Sequence, residues 1–557
     1  MSLTRRTHCQ NSEPMQSAAI ISTKHRSITG SEALTVTLMI AVGLLLVNQY
    51  SIDWPHVDDF NMVLWYHRYF ESKVWAFQDL LTVKNNQHWQ GAQAVMATYL
   101  LHWFGVHFVF FQYLNVVTIG LTAIIFFVTI SNDFANNSSR FFLIFLITLL
   151  LLSPNQTDHI FWSYEIGWFI VNLLLVCNIY FIEKLGFRSL PIVVVASVAG
   201  FFMSAQGAFI WVAASVQFLL FPMKPWQKMI AIFITFLGFI ASDLFVLSVH
   251  SEGPMFRIDQ TFGFVLYLIQ LLGSGFGARD TAACTVFGIL TIAITVAVTF
   301  ASLRGAKPFR ITTRAALALI TASGGSLVAF AFGRFSYGLQ WALQIFHAAP
   351  LVVIWYVGAS VLCLDLINLS SAQRVHRVIA ARWAVGYFAL SVLVSLPFGI
   401  ERTRDIGIGR ALAMNKTCDP NSPNYLVIGL NELPPWWTNL LEECMPTFEH
   451  LCSSSLSSTV ERLTVMPPYF GDIAARDPSK REALQDLWNV YTMNLDLLHT
   501  FPPDQLTTPR RLLVFARDNA ATGGTYADDI LGKHRATFVS MNIAPTTFFK
   551  VEKPLVQ

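Results

Sequence analysis

Long apolar runs recur along the first 400 residues of this chain, and no other feature constrains its fold so strongly. A bilayer core about 30 Å thick is crossed by roughly 20 apolar residues in a helix. Such runs fall at 33–50, 107–131, 140–153, 161–183, 189–204, 206–221, 229–249, 284–302, 315–332, 339–363 and 383–400. The expected fold is an α-helical polytopic membrane protein with about eleven transmembrane helices. Two shorter runs, 89–104 and 262–276, read as interfacial or re-entrant helices, because counting either as a crossing upsets the loop charges. With 54% of its residues hydrophobic and only 13% charged, the chain is too apolar for a soluble fold of 557 residues. A net charge of +3 implies no nucleic-acid partner.

Orientation follows from the basic residues. Arg5, Arg6, Lys24 and Arg26 precede the first run. Lys184, Arg188, Lys224, Lys228, the stretch Arg304 to Arg314, and Arg374, Arg377 and Arg382 share their side if the runs all cross. Cytoplasmic loops carry the excess of Lys and Arg, so the 1–32 tail is expected in the cytoplasm and 401–557 outside it. The polar start lacks a small-residue cleavage site before the first run, which reads as a retained helix. The chain is thus expected in the cell (inner) membrane, as a transmembrane domain over 33–400 between those two tails.

The external side then receives the polar loops. The first, 51–88, holds His56, an adjacent carboxylate pair Asp58-Asp59, and Asn85-Asn86-Gln87-His88. That pair is the only adjacent acidic pair before residue 400, and it stands eight residues past a membrane exit. Two carboxylates at a bilayer surface suit chemistry on a lipid-linked substrate; they equally suit the cap of a helix beginning at Phe60. The pattern Asn61 to Val74, with Trp65, Tyr66, Tyr69 and Phe70, reads as an amphipathic interfacial helix. Gln156, Trp162 and Glu165 gather after the third run, where Trp162 would line a pocket or else join an aromatic belt. Arg334 lies in a Gly-Arg-Phe-Ser-Tyr-Gly turn, able to hold an anion or to snorkel from a helix end.

This arrangement resembles the C-type superfamily of membrane glycosyltransferases, which take sugars from polyprenyl-phosphate donors. The likeness rests on the long first external loop, on Asp58-Asp59-Phe60 soon after the first helix, on the interfacial helices and on the many-helix body. It spans roughly 30–400, and Asp58-Asp59-Phe60, Asn85 to His88 and Gln156 to Trp162 look like a bacterial subgroup. Its members read Asn, an acid, His and Arg where this chain has Asn86-Gln87-His88-Trp89. The resemblance implies transfer of a hexosyl or pentosyl group to an extracytoplasmic glycan or lipid acceptor. An inverting enzyme needs a base for the acceptor hydroxyl, which makes Asp58 or Asp59 the catalytic candidate. His56, Asn86, His88, Gln156, Trp162 and Glu165 are candidates for binding sugar. The departing phosphate needs a fixed positive partner, for which Arg334 is the candidate, or a divalent cation such as Mg or Mn.

After Arg410 the chain turns polar and proline-rich, which reads as a small extracytoplasmic α/β-type domain. Seven cysteines without a CxxC or a Cys/His cluster argue against a structural zinc site. One pair among Cys418, Cys444 and Cys452 suits oxidation outside the cytoplasm. A transporter or flippase of lipid-linked sugars is the alternative class. Such carriers tend to show internal repeats, and none is evident here.

Overall fold

The structure, a computed structural model, describes residues 28–53, 55, 59–85, 88–247, 260–277, 280–304, 308–335, 348–369 and 375–418. Among these, nine stretches are long and apolar enough to cross a membrane: Gly30–Tyr50, Phe108–Asp133, Asn137–Phe161, Ser163–Met203, Pro225–Ser242, Thr281–Leu303, Ile311–Arg334, Ala349–Asn368 and Val378–Ile400. The chain is a helical polytopic membrane protein.

The helices begin where the sequence supplies caps. Helix α1 (Gly30–Tyr50) opens on a capping box, Thr29 Oγ1 accepting from Glu32 N and Thr29 N donating to Glu32 Oε2. Three short helices follow, α2 (Asp59–Tyr66), α3 (Phe77–Leu81) and α4 (Gly91–Phe104). A two-residue antiparallel pair, β1 (Lys84–Asn85) and β2 (His88–Trp89), lies between the last two. Helix α5 (Phe108–Ile130) is capped from a distance: Asp53 Oδ1 accepts from Phe108 N at 2.6 Å and Asp53 Oδ2 meets His107 Nδ1 at 2.6 Å. Asn136 caps α6 (Asn137–Leu151). One helical turn, α7 (Thr157–Phe161), leads into α8 (Ile166–Leu185). Gly186, at φ +54°, reverses the chain into α9 (Leu190–Met203).

The Ser163–Met203 stretch therefore holds two helices where the sequence suggested two runs. At 14 residues α9 rises roughly 21 Å, and α10 (Phe209–Leu220), at 12 residues, roughly 18 Å. Both fall short of a hydrocarbon core, which is where the nine stretches part from the expected eleven. The chain continues through α11 (Pro225–Leu247), α12 (Thr261–Gly273), α13 (Thr281–Leu303), α14 (Ile311–Arg334) and α15 (Ala349–Leu369). It ends in α16, which runs unbroken from Val375 to Cys418. Residues 401–418, read from the sequence as the start of a separate domain, are thus helical and continuous with the last span. Residues 419–557 lie outside the described residues, and with them Cys444 and Cys452.

Helix α15 is central, with 83% of its span window buried, whereas α1 at 17% and α11 at 11% turn apolar flanks outward to lipid. Ion pairs staple one pole of the bundle. Arg140, opening α6, pairs with Glu32 of α1 through Nε to Oε1 at 2.8 Å and Nη2 to Oε2 at 3.1 Å, both side chains buried. Arg310, ahead of α14, meets Asp365 of α15 at 2.8 Å and Asp133 beyond α5 at 3.6 Å. Arg314 of α14 pairs with Glu183 near the end of α8. Helix starts and helix ends meet in register at this pole, as alternating crossings require.

Candidate functional site

The opposite pole gathers the polar residues that the sequence singled out. The expected amphipathic helix from Asn61 to Val74 is shorter and deeper than its pattern suggests. Phe60, Met62, Val63, Leu64 and Trp65 of α2 are all buried, and the helix gives way to a π-helical turn at His67–Glu71. An apolar helix with no polar face packs inside the body rather than on a bilayer. Its first residue, Asp59, is carried in with it and is wholly buried.

The segment 153–165 wraps this residue. Ser153 Oγ accepts from Asn155 N, and Pro154 starts a 3-10 turn; α7 and a second 3-10 turn at Ser163–Glu165 follow. Such short turns leave carbonyls without intrahelical partners, and side chains from distant helices supply them. Asn115 of α5, wholly buried, donates through Nδ2 to the carbonyls of His159 (3.2 Å), Ile160 (3.0 Å) and Trp162 (3.2 Å). Ser163 Oγ donates to Phe108 O at 3.0 Å, and Asn155 Nδ2 donates to Gly275 O. Helix α16 closes on the segment at Gly399, where a Cβ would stand 2.2 Å from the Pro154 Cβ.

Tyr164 is the hub. Its N–H donates to Asp59 Oδ1 at 2.7 Å, its hydroxyl donates to Gln90 Oε1, its carbonyl accepts from Gln93 Nε2, and its ring lies 5.8 Å from that of Trp65. On the other side of Asp59 stands Arg410 of α16, 2% exposed, with Nη2 3.8 Å from Asp59 Oδ2 and donating to Phe161 O. Burial pushes the guanidinium down to about 10, with Asp59 and Asp53 acting in the opposite sense. It stays charged at neutral pH. Behind this pair, buried His159 approaches Glu165, Nδ1 to Oε2 3.4 Å, and its ring lies 5.5 Å from that of Trp168.

Of the candidates read from the sequence, Asp59, Trp162 and Glu165 fall in this one buried neighbourhood. Gln156 is buried in the same segment, its amide donating to Leu151 O within the turn. Asp58, His56 and Asn86 lie outside the described residues, and His88 is described only as backbone in β2. Arg334 ends α14, half-buried, within electrostatic reach of Tyr267 of α12. The cation that faces Asp59 is Arg410, which the sequence reading missed. Its signal was the spacing of Thr403, Ile406 and Arg410, one face of a helix continuing past the apolar run; all three are buried.

No known family model matches the chain, and neither does any curated protein or solved structure. Among the described residues no group of three or more His, Cys, Asp or Glu side chains gathers in a way that could hold a metal ion. Asp59 already faces a guanidinium, so this donor set does not fit a divalent cation. What it offers is a buried carboxylate, met by the Tyr164 backbone N–H, beside a buried cation.

Proposed function

We propose that the chain is a membrane glycosyltransferase of the C-type superfamily, moving a sugar from a polyprenyl-phosphate donor to an extracytoplasmic glycan or lipid acceptor with inversion. The observation that carries the reading is Asp59. It is an acid at the first turn after the first span, drawn into the protein and oriented by Tyr164 N–H and Arg410. A carboxylate held in this way is suited to receive the proton of an acceptor hydroxyl as the anomeric carbon is attacked. Asp58, the preceding residue, is the second candidate for that role. Arg334 remains the candidate partner of the departing phosphate, because the charge of Arg410 is already met by Asp59. Trp162 and Glu165 stand in the adjoining segment, where an aromatic face and a polar group can take a sugar ring.

In this reading the helices make about eleven crossings, with α9 and α10 as a short hairpin beside neighbours of full length. The pole of Asp59 faces the extracytoplasmic side of the inner membrane. The excess of Lys and Arg toward the other pole supports that orientation, and residues 419–557 then form an extracytoplasmic domain.

The test is a mass comparison of surface glycolipids and glycans from cells with the chain, without it, and with Asp59→Asn or Asp58→Asn at normal expression. The reading expects a sugar increment that disappears without the chain and with at least one of the two variants. A profile unchanged by loss of the chain would end it, and a carrier would tolerate both substitutions.

A further inference from the structure

Arg410 has more donors than the described residues take up. Nη2 serves Phe161 O, while Nε and Nη1, both buried, have no hydrogen-bond partner among the described residues. Leaving a buried donor unpaired is costly, the more so when it is charged. Native proteins rarely carry such groups without a reason. The side chain lies on the stretch of α16 beyond the Val378–Ile400 span, turned toward Asp59 and the 153–165 segment.

We infer that Arg410 and Asp59 together form a subsite for the hydroxyl groups of a sugar. The choice of ligand rests on the transferase reading; the choice of hydroxyl over phosphate rests on charge. The guanidinium already lies in the field of two carboxylates, Asp59 and Asp53. A phosphate would bring further negative charge against both, whereas a hydroxyl brings none. A hydroxyl also accepts and donates at once. Arg410 supplies Nε and Nη1 as donors and Asp59 Oδ2, 3.8 Å from Nη2, an acceptor. Tyr164, whose N–H meets the carboxylate, and Trp65, whose ring lies 5.8 Å from that of Tyr164, bring apolar surface to the same neighbourhood. Entry requires the end of α16 to move off the 153–165 segment. Pro397 sits inside that helix six residues before Thr403, where it removes a backbone bond and permits a bend.

The experiment uses the purified full chain in lipid nanodiscs, with saturation-transfer NMR against a panel of methyl glycosides and against inorganic phosphate and pyrophosphate. At least one glycoside should bind, with no displacement by either phosphate. Arg410→Lys keeps the charge but withdraws Nε and Nη1, and it should weaken that glycoside roughly tenfold or more. The inference is overturned if only the phosphates bind, if nothing binds, or if Arg410→Lys leaves glycoside affinity unchanged. Competition on the unaltered protein decides between sugar and phosphate even where the variant does not fold. The transferase reading fails separately, through an unchanged cellular glycan profile, so the two can fall independently.

Discussion

Asn115 offers the sharpest test of how the site is built. One amide nitrogen reaches three backbone carbonyls, at 3.0 to 3.2 Å, in a segment too irregular to satisfy its own. Two hydrogens serve the three acceptors, so Asn115→Leu, close in volume, removes about two net hydrogen bonds and leaves buried carbonyls bare. At about 1–3 kcal/mol for each abandoned group the loss is roughly 2–6 kcal/mol. Asn115→Asp is worse at similar size, because a carboxylate would face three carbonyl oxygens. The assay is amide hydrogen exchange in nanodiscs, read on peptides covering 153–165 and, as a control, on α15. A local opening free energy lowered by 2 kcal/mol raises exchange about 30-fold in the segment. Exchange unchanged within about twofold in both variants, with the chain still folded, would refute the claim that Asn115 holds the segment.

Two further outcomes follow from the packing. Glu32→Leu or Arg140→Leu alone should destabilise the chain by about 3–5 kcal/mol, by stranding a buried charge, while the double replacement should restore most of that loss; thermal unfolding of the three variants in detergent measures the coupling. Gly399→Val should push α16 away from Pro154, because even a Cβ would stand 2.2 Å from the Pro154 side chain, and it should raise maleimide labelling of a cysteine placed at Thr403; equal labelling with and without the valine would count against the close approach.

The helical frame could be read from periodicity and caps because those signals are local. The runs at 107–131 and 140–153 correspond to α5 and α6 within a few residues, and the short run at 89–104 to α4. The site was harder, because its logic is non-local. Ser153 to Glu165 looks like an exposed polar loop until Asn115, Gln93, Asp59 and Arg410 arrive from elsewhere in the chain to pair with it. Asp59 stood out through its neighbour and its distance from a membrane exit, neither of which reveals burial. Arg410 was hidden by composition: Arg402, Arg404 and Asp405 around it give a soluble character to a helix whose inner face is Thr403, Ile406 and Arg410. The pattern Asn61 to Val74 suggested an interfacial helix because aromatic residues favour both bilayer surfaces and protein cores.

The paired charges at the Glu32 pole carry a mechanical consequence. Arg140, Arg310 and Arg314 bind helices α1, α6, α8, α14 and α15 to one another at one end, each through at least one carboxylate. At the far end the Asp59–Arg410 pair is wider, at 3.8 Å, and the segment 153–165 is held mainly by hydrogen bonds from Asn115 and Tyr164. A bundle fastened in this way pivots about its stapled base, so that small rotations there become the widest separations at the tips. The start of α2 and the end of α16, which meet at Asp59, lie at those tips.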